Sequence, residues 1–376
     1  METRKFLIVG AGWTGATIAR KLAEDGHKIL VRDLNNHVAG HAWDTPSKKY
    51  GIMTHIYGPH IFHTFNEEVF KFVTKFGSFY QEQPVVSVFI KETGKTYTTP
   101  FNFELIDDLV SNPENLKKKL LEAFPNRERV TVLEIINHDD EDIKKYGELL
   151  FEIDYRPYTA KQWGRDPEEV DPTVLERVPI YLGYQEKYFV DPYVGFFKEG
   201  YTGVINNILR HENITVELGK KVLKDEIFEY NNNGWEVVYT GALDELFDYK
   251  YGHLPYRSLK MTYQEIDQKN MFGRHSVVAF PYDKTVTRIT QAQRLPIAET
   301  DKTVLIIEEP VEHIPNKTHP YYPINNEKNN KLHEKYIKLA KEKGIKYCGR
   351  LADYKYYNMD QVVEAAIRYY EEELKL

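Results

Sequence analysis

The chain has 376 residues, 28% of them charged, with a net charge of -7. That length allows a large core and two or three domains, and the negative balance offers nothing to nucleic acid or an anionic membrane. One cysteine, Cys348, excludes an internal disulfide and a cysteine-built metal site.

Arg4-Lys5 before an apolar run faintly imitates a signal peptide. The run contains glycines and leads into a charged stretch (Arg20, Lys21, Glu24, Asp25), so export is rejected. A soluble cytoplasmic protein without a membrane span is expected. The chain carries 28 tyrosines. Tyrosine joins a flat apolar face to a polar tip, which suits sugars and bases and also half-buried strands.

Phe6–Val9 reads as a strand, Gly10, Gly12 and Gly15 as a glycine turn, and Gly15–Asp25 as a helix. Such a turn brings backbone close to a pyrophosphate at a helix N-terminus, which would place Trp13 and Thr14 beside the anion. Lys28–Arg32 reads as a second strand ending at Asp33. This acid, 18 residues after Gly15, is where the ribose hydroxyls of a dinucleotide should bind. Asn36–Asp44 holds a second small-residue turn at Gly40-His41, which shifts the reading from a nicotinamide cofactor to FAD.

Three histidines follow closely, His55, His60 and His63. A metal reading is set aside: Gly58-Pro59 interrupts the spacing and no local acid or cysteine completes a ligand set. A loop that brings imidazoles to a ring system fits better.

The motif Tyr57-Gly-Pro-His-Ile-Phe-His-Thr64 is followed by Tyr158-Thr-Ala-Lys-Gln-Trp-Gly-Arg-Asp-Pro167 and Gly200-Tyr-Thr202. Thr287-Arg-Ile-Thr290, Tyr321-Tyr-Pro-Ile324, Gly349-Arg-Leu351 and Met359-Asp360 come later. In these motifs, and in their order, the chain resembles the UDP-galactopyranose mutase family of flavoenzymes from about residue 5 to the C-terminus.

The remaining elements fit that resemblance. A helix (Glu67–Phe76) precedes a hairpin (Val85–Lys91, Lys95–Thr99). Helical patterns cover Leu105–Leu109, Pro113–Ala123, Val130–Ile136, Asp142–Phe151 and Tyr155–Trp163. Pro113 suits a first helical position. Ile180–Phe197 and Ile227–Glu309 read mostly as strands, with Asn231–Gly234 as a hairpin turn. Asn326–Lys343 and Met359–Leu374 read as helices around a last strand, Lys346–Gly349.

The expected fold is α/β: a Rossmann-like FAD-binding domain, an inserted helical bundle and an antiparallel β-sheet substrate domain. The FAD-binding domain is assigned 1–78, 201–222, 237–250 and 340–376. The helical domain is assigned 103–178, with a mobile loop about 166–180. The sheet domain takes 79–102, 179–200, 223–236 and 251–339.

The resemblance implies a redox-neutral conversion of a nucleotide-linked pyranose to its furanose. N5 of reduced FAD attacks the anomeric carbon and the nucleoside diphosphate leaves and returns. UDP-galactopyranose is the default substrate. Arg177 and Arg288 would hold the diphosphate, because a planar guanidinium binds phosphate oxygens in pairs. Tyr188, Tyr322 and Tyr356 would hydrogen-bond it, Tyr158 would stack on the base, and Trp163 would wall the site. Tyr57, His60, His63, Arg350 and Met359 would surround the flavin, Arg350 favouring its reduced anion, with His63 also catalytic and Asn358 facing the substrate. The resemblance also implies a homodimer, with an external reductant such as NADPH.

Several positions depart from the family pattern: Ala39, Pro84, Asp154, Tyr181, Ala279-Phe280, Gln291 and Asn358. Loss of a polar side chain at Ala279 suits a sugar lacking a hydroxyl, with dTDP-fucopyranose the leading variant and UDP-N-acetylgalactosamine another. Two further readings compete: an amine-oxidase-like FAD oxidoreductase, which needs no paired diphosphate arginines, and a binding protein that has lost activity.

Overall fold

The computed structural model describes residues 2–164 and 178–375. Among them no helix is long and apolar enough to cross a membrane.

The strand Lys5–Val9 is the centre of a five-stranded parallel sheet. Its neighbours are Lys28–Arg32 and Glu236–Tyr239, and Ile214–Glu217 and Lys346–Tyr347 form the edges. Phe6, Leu7 and Ile8 are all 0% exposed. A parallel strand is covered on both faces, which is why this run is apolar without alternation. Each such side chain contributes roughly 2 kcal/mol of burial. The helix Trp13–Glu24 packs on one face, through Ala16, Ala19 and Ala23 among others. Small residues there let helix and sheet approach closely.

A seven-stranded sheet lies beyond it. Its order is Tyr322–Pro323, Tyr256–Ile266, Thr303–Glu312, Arg288–Gln291, Val277–Ala279, Val86–Ile90, Lys95–Thr98. All its pairs are antiparallel except Val277–Ala279 with Val86–Ile90. A separate three-stranded sheet (Phe62–Thr64, Tyr193–Phe197, Phe79–Gln81) puts Phe62, Phe196 and Phe197 into the core of Phe6 and Ile8.

Helices between Phe103 and Trp163 pack through Leu105, Leu120, Ile135, Ile143 and Leu150 in one core with Val88, Ile90 and Tyr97 of the neighbouring hairpin strands. Their starts are written locally. Asn102, Asn112 and Asp140 cap with side-chain oxygens, Pro113 takes the first position, and Thr131 and Glu134 form a capping box.

The structure corrects the reading of residues 223–236. Lys224–Asn232 is a helix, and Asn233-Gly234 ends it with Gly234 at φ +76°. Ile227 and Tyr230, one turn apart, pack with Leu7, Val237 and Trp235. The segment joins two parallel strands, and a two-residue hairpin cannot make that connection. These residues belong with the parallel sheet, not the antiparallel one. So does the whole helix Glu327–Glu342, which the 340 boundary would cut: Tyr336, Leu339 and Ala340 share the core of Leu7 and Val237. Between Ile180 and Phe197 only Ile180–Tyr181 and Tyr193–Phe197 are strands, and the intervening loop carries Tyr188, Phe189 and Asp191.

Candidate active site

The chain leaves its first strand at Gly10, whose φ of +112° falls in the left-handed region. A Cβ there would also lie 2.0 Å from Thr240 Oγ1. One on Gly15 would lie 1.9 Å from the Gly10 carbonyl oxygen. Gly12 is the N-cap of the helix Trp13–Glu24, with no side-chain cap and no acid in the first turn. The first N–H groups of that helix are thus left for an anionic ligand. Gly40 faces Gly12 so closely that its Cβ would lie 3.5 Å from the Gly12 Cα. Asp33 is buried, and its Oδ2 accepts from the Ala11 N–H at 2.8 Å. Its Oδ1 accepts from the Asn35 N–H at 2.8 Å.

A cavity of about 1000 Å³ runs from this turn to the seven-stranded sheet. Gly10, Gly12, Trp13, Thr14, Asp33 and Gly40 line one end. Gly15 is not on the wall and serves to close helix on strand.

Histidines and tyrosines line the middle. His41 stacks on Tyr321, rings 5.0 Å apart and nearly parallel, with Tyr57 tilted beside it at 5.2 Å. Burial, and then the Arg350 charge, hold the His41 imidazole well below its ordinary range. His60 donates from Nδ1 to the Gly58 carbonyl at 2.8 Å, and its backbone N–H donates to His55 Nδ1 at 3.1 Å. Burial takes His60 down to about 3 and His55 to about 4. These rings are neutral and act as hydrogen-bonding, not charged, groups at neutral pH. Arg350 donates from Nη2 to the Tyr321 carbonyl at 2.5 Å, and its Nε is buried without a partner. Its guanidinium lies 5.0 Å from the Tyr356 ring centre and 5.4 Å from that of Tyr322. Those two rings stack at 5.3 Å.

At the far end, Arg288 begins the strand Arg288–Gln291. Its Nε donates to Glu308 Oε1 at 2.7 Å, and the Glu308 side chain is 1% exposed. Burial works against the Arg288 charge, but the Glu308 carboxylate outweighs it and holds the guanidinium fully protonated. Tyr158 and Tyr188 share this end of the wall. Burial pushes the Tyr158 hydroxyl up, and Arg288 opposes the shift. Trp163 ends its helix, and its side chain and Arg177 lie outside the described residues.

His63, Asn358 and Met359 also line the cavity. His63 Nδ1 lies 2.9 Å from Asp191 Oδ1, and its ring stacks on Phe189 at 4.0 Å. Asn358 caps the helix Met359–Tyr369, its N–H donating to Gln361 Oε1 at 2.9 Å.

The altered positions divide into two kinds. Tyr181 and Gln291 are used inside the fold. The Tyr181 hydroxyl donates to the Lys187 carbonyl at 2.9 Å; Gln291 donates to the His275 carbonyl at 2.5 Å and accepts from the Phe272 N–H at 3.1 Å. Ala279 is directly opposite Arg288 across the paired strands, next to Val88 on the other side. Val86 and Val277, paired with each other, line the cavity nearby. The Asp154 carboxyl is pushed up to about 7 by burial.

Sequence reasoning missed Glu308, Asp191 and Lys161. Lys161 Nζ donates to the carbonyls of Phe280, Pro281, Asp283 and Val286, at 2.5, 3.1, 2.8 and 2.7 Å. It ties the helix of Tyr158 to the loop before Arg288. Only its place in the Tyr158–Pro167 motif marked it.

The family model of UDP-galactopyranose mutase matches residues 154–356, and that of NAD(P)-binding Rossmann-like domains matches residues 8–76. A dTDP-fucopyranose mutase of Escherichia coli is 34% identical over 371 residues, 96% of each chain. A UDP-galactopyranose mutase of Mycoplasma genitalium is 34% identical over 376 residues, 96% of this chain and 93% of its own. A crystal structure of reduced UDP-galactopyranose mutase superposes with a TM-score of 0.72 at 16% identity, covering 100% of this chain and 94% of its own. With a Rossmann-like glycine turn at one end of its cavity and a carboxylate-paired arginine at the other, the chain belongs to the UDP-galactopyranose mutase family.

Proposed function

We propose that the protein is an isomerase that interconverts the pyranose and furanose forms of a nucleoside-diphosphate sugar, with FAD as its cofactor. The observation that carries this is one cavity holding both a dinucleotide turn and the Arg288–Glu308 pair. The uncapped helix at Gly12, the acid Asp33 and the unpartnered Nε of Arg350 fit a flavin dinucleotide. Gly10, Gly12, Trp13, Thr14, Gly40 and His41 would hold its diphosphate. Tyr57, His60, Arg350 and Met359 would surround its ring system.

When bound and reduced, by NADPH or another donor, FAD supplies the nucleophile for the anomeric carbon. The chain's own residues do the rest. Arg288, with Arg177 as a second cation, neutralises the departing diphosphate and keeps it in place for return. Tyr188, Tyr322 and Tyr356 orient it, and Tyr158 and Trp163 give the base a face. Burial around these rings excludes water that would otherwise hydrolyse the sugar. A homodimer in solution is part of this proposal.

UDP-galactopyranose is the default substrate. A deoxy sugar, as in dTDP-fucopyranose, is favoured by one observation: the cavity wall near Arg288 offers Val86 and Val277, with Ala279 opposite the arginine. An aliphatic wall gives no partner to a hydroxyl. Anaerobic incubation with dithionite and a panel of sugar nucleotides, with chromatography for furanose product, tests both readings. A purified protein that binds no FAD would refute the proposal. A clear preference for UDP-galactose would remove the deoxy-sugar reading alone.

A further inference from the structure

The turn between the strand Lys346–Tyr347 and the helix Met359–Tyr369 supplies residues to both halves of the cavity. Arg350 opens the turn, Tyr356 leaves it, and both line the wall. Arg350 Nη2 donates to the Tyr321 carbonyl at 2.5 Å, and its guanidinium lies against the stacked rings of Tyr322 and Tyr356. In the isomerase reading Arg350 serves the flavin, and the two tyrosines serve the diphosphate. That division of labour needs a fixed spacing between the three side chains.

The backbone of the turn closes as a Schellman motif. The Lys355 N–H donates to the Arg350 carbonyl at 3.2 Å, and the Tyr354 N–H to the Leu351 carbonyl at 3.2 Å. Tyr354 takes the left-handed position, at φ +51°. Glycine or asparagine usually stands there, because a Cβ is strained in that region. A bulky side chain persists at such a position only where its surroundings hold it.

Tyr354 is held from outside the turn. It is 2% exposed and belongs to the core of Tyr256 and Tyr336. Its hydroxyl donates to the Pro255 carbonyl, with the Ile324 carbonyl 3.2 Å away. The Ile324 N–H donates to that same Pro255 carbonyl at 3.1 Å, beside the pairing of Tyr256 with Pro323 and of Arg257 with Tyr322. The Tyr354 ring packs edge-on against Tyr256 at 5.2 Å. The segment Tyr321–Ile324 is thus tied to the turn at both ends, by Arg350 at its first carbonyl and by Tyr354 at its last. Tyr322 lies between these ties and meets Tyr356.

We propose that Tyr354 is a positioning residue whose hydroxyl holds the turn Arg350–Tyr356 in register with Tyr321–Ile324, and so sets where the flavin-side cation stands relative to the diphosphate-side tyrosines. This rests on the isomerase reading above. One hydroxyl in the core behind the cavity thereby acts on both ligands.

The test compares Y354F with Y336F in the FAD-loaded protein. Tyr336 is the control, a phenol in the same core whose hydroxyl donates to the Gly252 carbonyl at 2.6 Å. Phenylalanine keeps each ring and removes its hydroxyl, so both variants are expected to lose comparable stability. Y354F is expected to weaken UDP and dTDP binding about tenfold, measured by calorimetry. It is also expected to lower the flavin midpoint potential, because a displaced Arg350 favours the reduced anion less. Y336F is expected to leave both at wild-type values. In a Y356F background, Y354F is expected to weaken binding by less than about twofold more. An unchanged affinity or an unchanged potential in Y354F overturns the proposal, as do equal effects in Y336F or full additivity with Y356F. A wild-type protein that takes up no FAD refutes the isomerase reading, and UDP and dTDP binding to the protein as purified then judges Tyr354. If the loaded wild type binds neither nucleotide, that reading also fails, and the potential judges Tyr354.

Discussion

Arg288 Nε lies 2.7 Å from Glu308 Oε1, and the carboxylate behind it is almost sealed from water. The pair sets the arginine's direction and keeps its charge at the cavity wall. Removing one partner of a buried pair leaves the other uncompensated. E308A is therefore expected to lose about 3–5 kcal/mol of stability, measured by urea denaturation. R288K keeps a charge but loses the planar fork, and kcat/KM is expected to fall about 100-fold with little change in Tm. Wild-type turnover in R288K would remove the arginine from the chemistry.

Acid should weaken the fold through three histidines. His41, His55 and His60 are held below their ordinary range in the folded state, chiefly by burial. Below about pH 6.5 the unfolded chain takes up protons that the folded chain refuses, so stability falls as pH falls. The loss continues to about pH 4 for His55 and about pH 3 for His60. Each group contributes at most about 1.4 kcal/mol per pH unit in that window. Denaturation at pH 7, 6 and 5 reads the slope, and H60Q should flatten it. Equal stability at all three values would show that these rings are not buried neutral.

Ala39 occupies φ +75°, where a Cβ is strained, and precedes the turn at Gly40. A39G is expected to raise stability by about 1 kcal/mol, with unchanged FAD affinity. A β-branched residue there should cost more than that. Thermal melts of A39G and A39V against the wild type decide it, and a destabilised A39G would mean that the alanine methyl packs usefully.

Lys161 is satisfied by four carbonyl oxygens of a single loop. K161M fills similar volume and leaves them without their donor. A loss of about 3 kcal/mol is expected, with a raised KM because Tyr158 is no longer tied to the Arg288 side of the cavity. A melt and a substrate titration check this; a KM equal to wild type would restrict the lysine to stability.

How much was legible depends on how local the signal is. The glycine turn, Asp33 and the strand around Ile8 form one continuous unit, and their spacing carries their geometry. The helix caps at Asn102, Asn112 and Thr131 are equally local. Asn231–Gly234 reads as a hairpin turn in the sequence and instead ends a helix, because Asn-Gly serves both and only the parallel crossover decides between them. Asp191, Glu308 and Lys161 meet partners 128, 20 and 119 residues away. Nothing beside them in the chain marks those meetings. Tyr181 and Gln291 stood out as substitutions, yet their hydrogen bonds point into the fold.

The central strand Lys5–Val9 pairs on one side with Glu236–Tyr239, whose far neighbour is Lys346–Tyr347. During synthesis the first strand therefore waits with one edge open until more than half the chain has emerged, and Arg350 arrives later still. A fragment that stops short of Arg350 lacks part of the cavity wall, which is gathered from segments hundreds of residues apart.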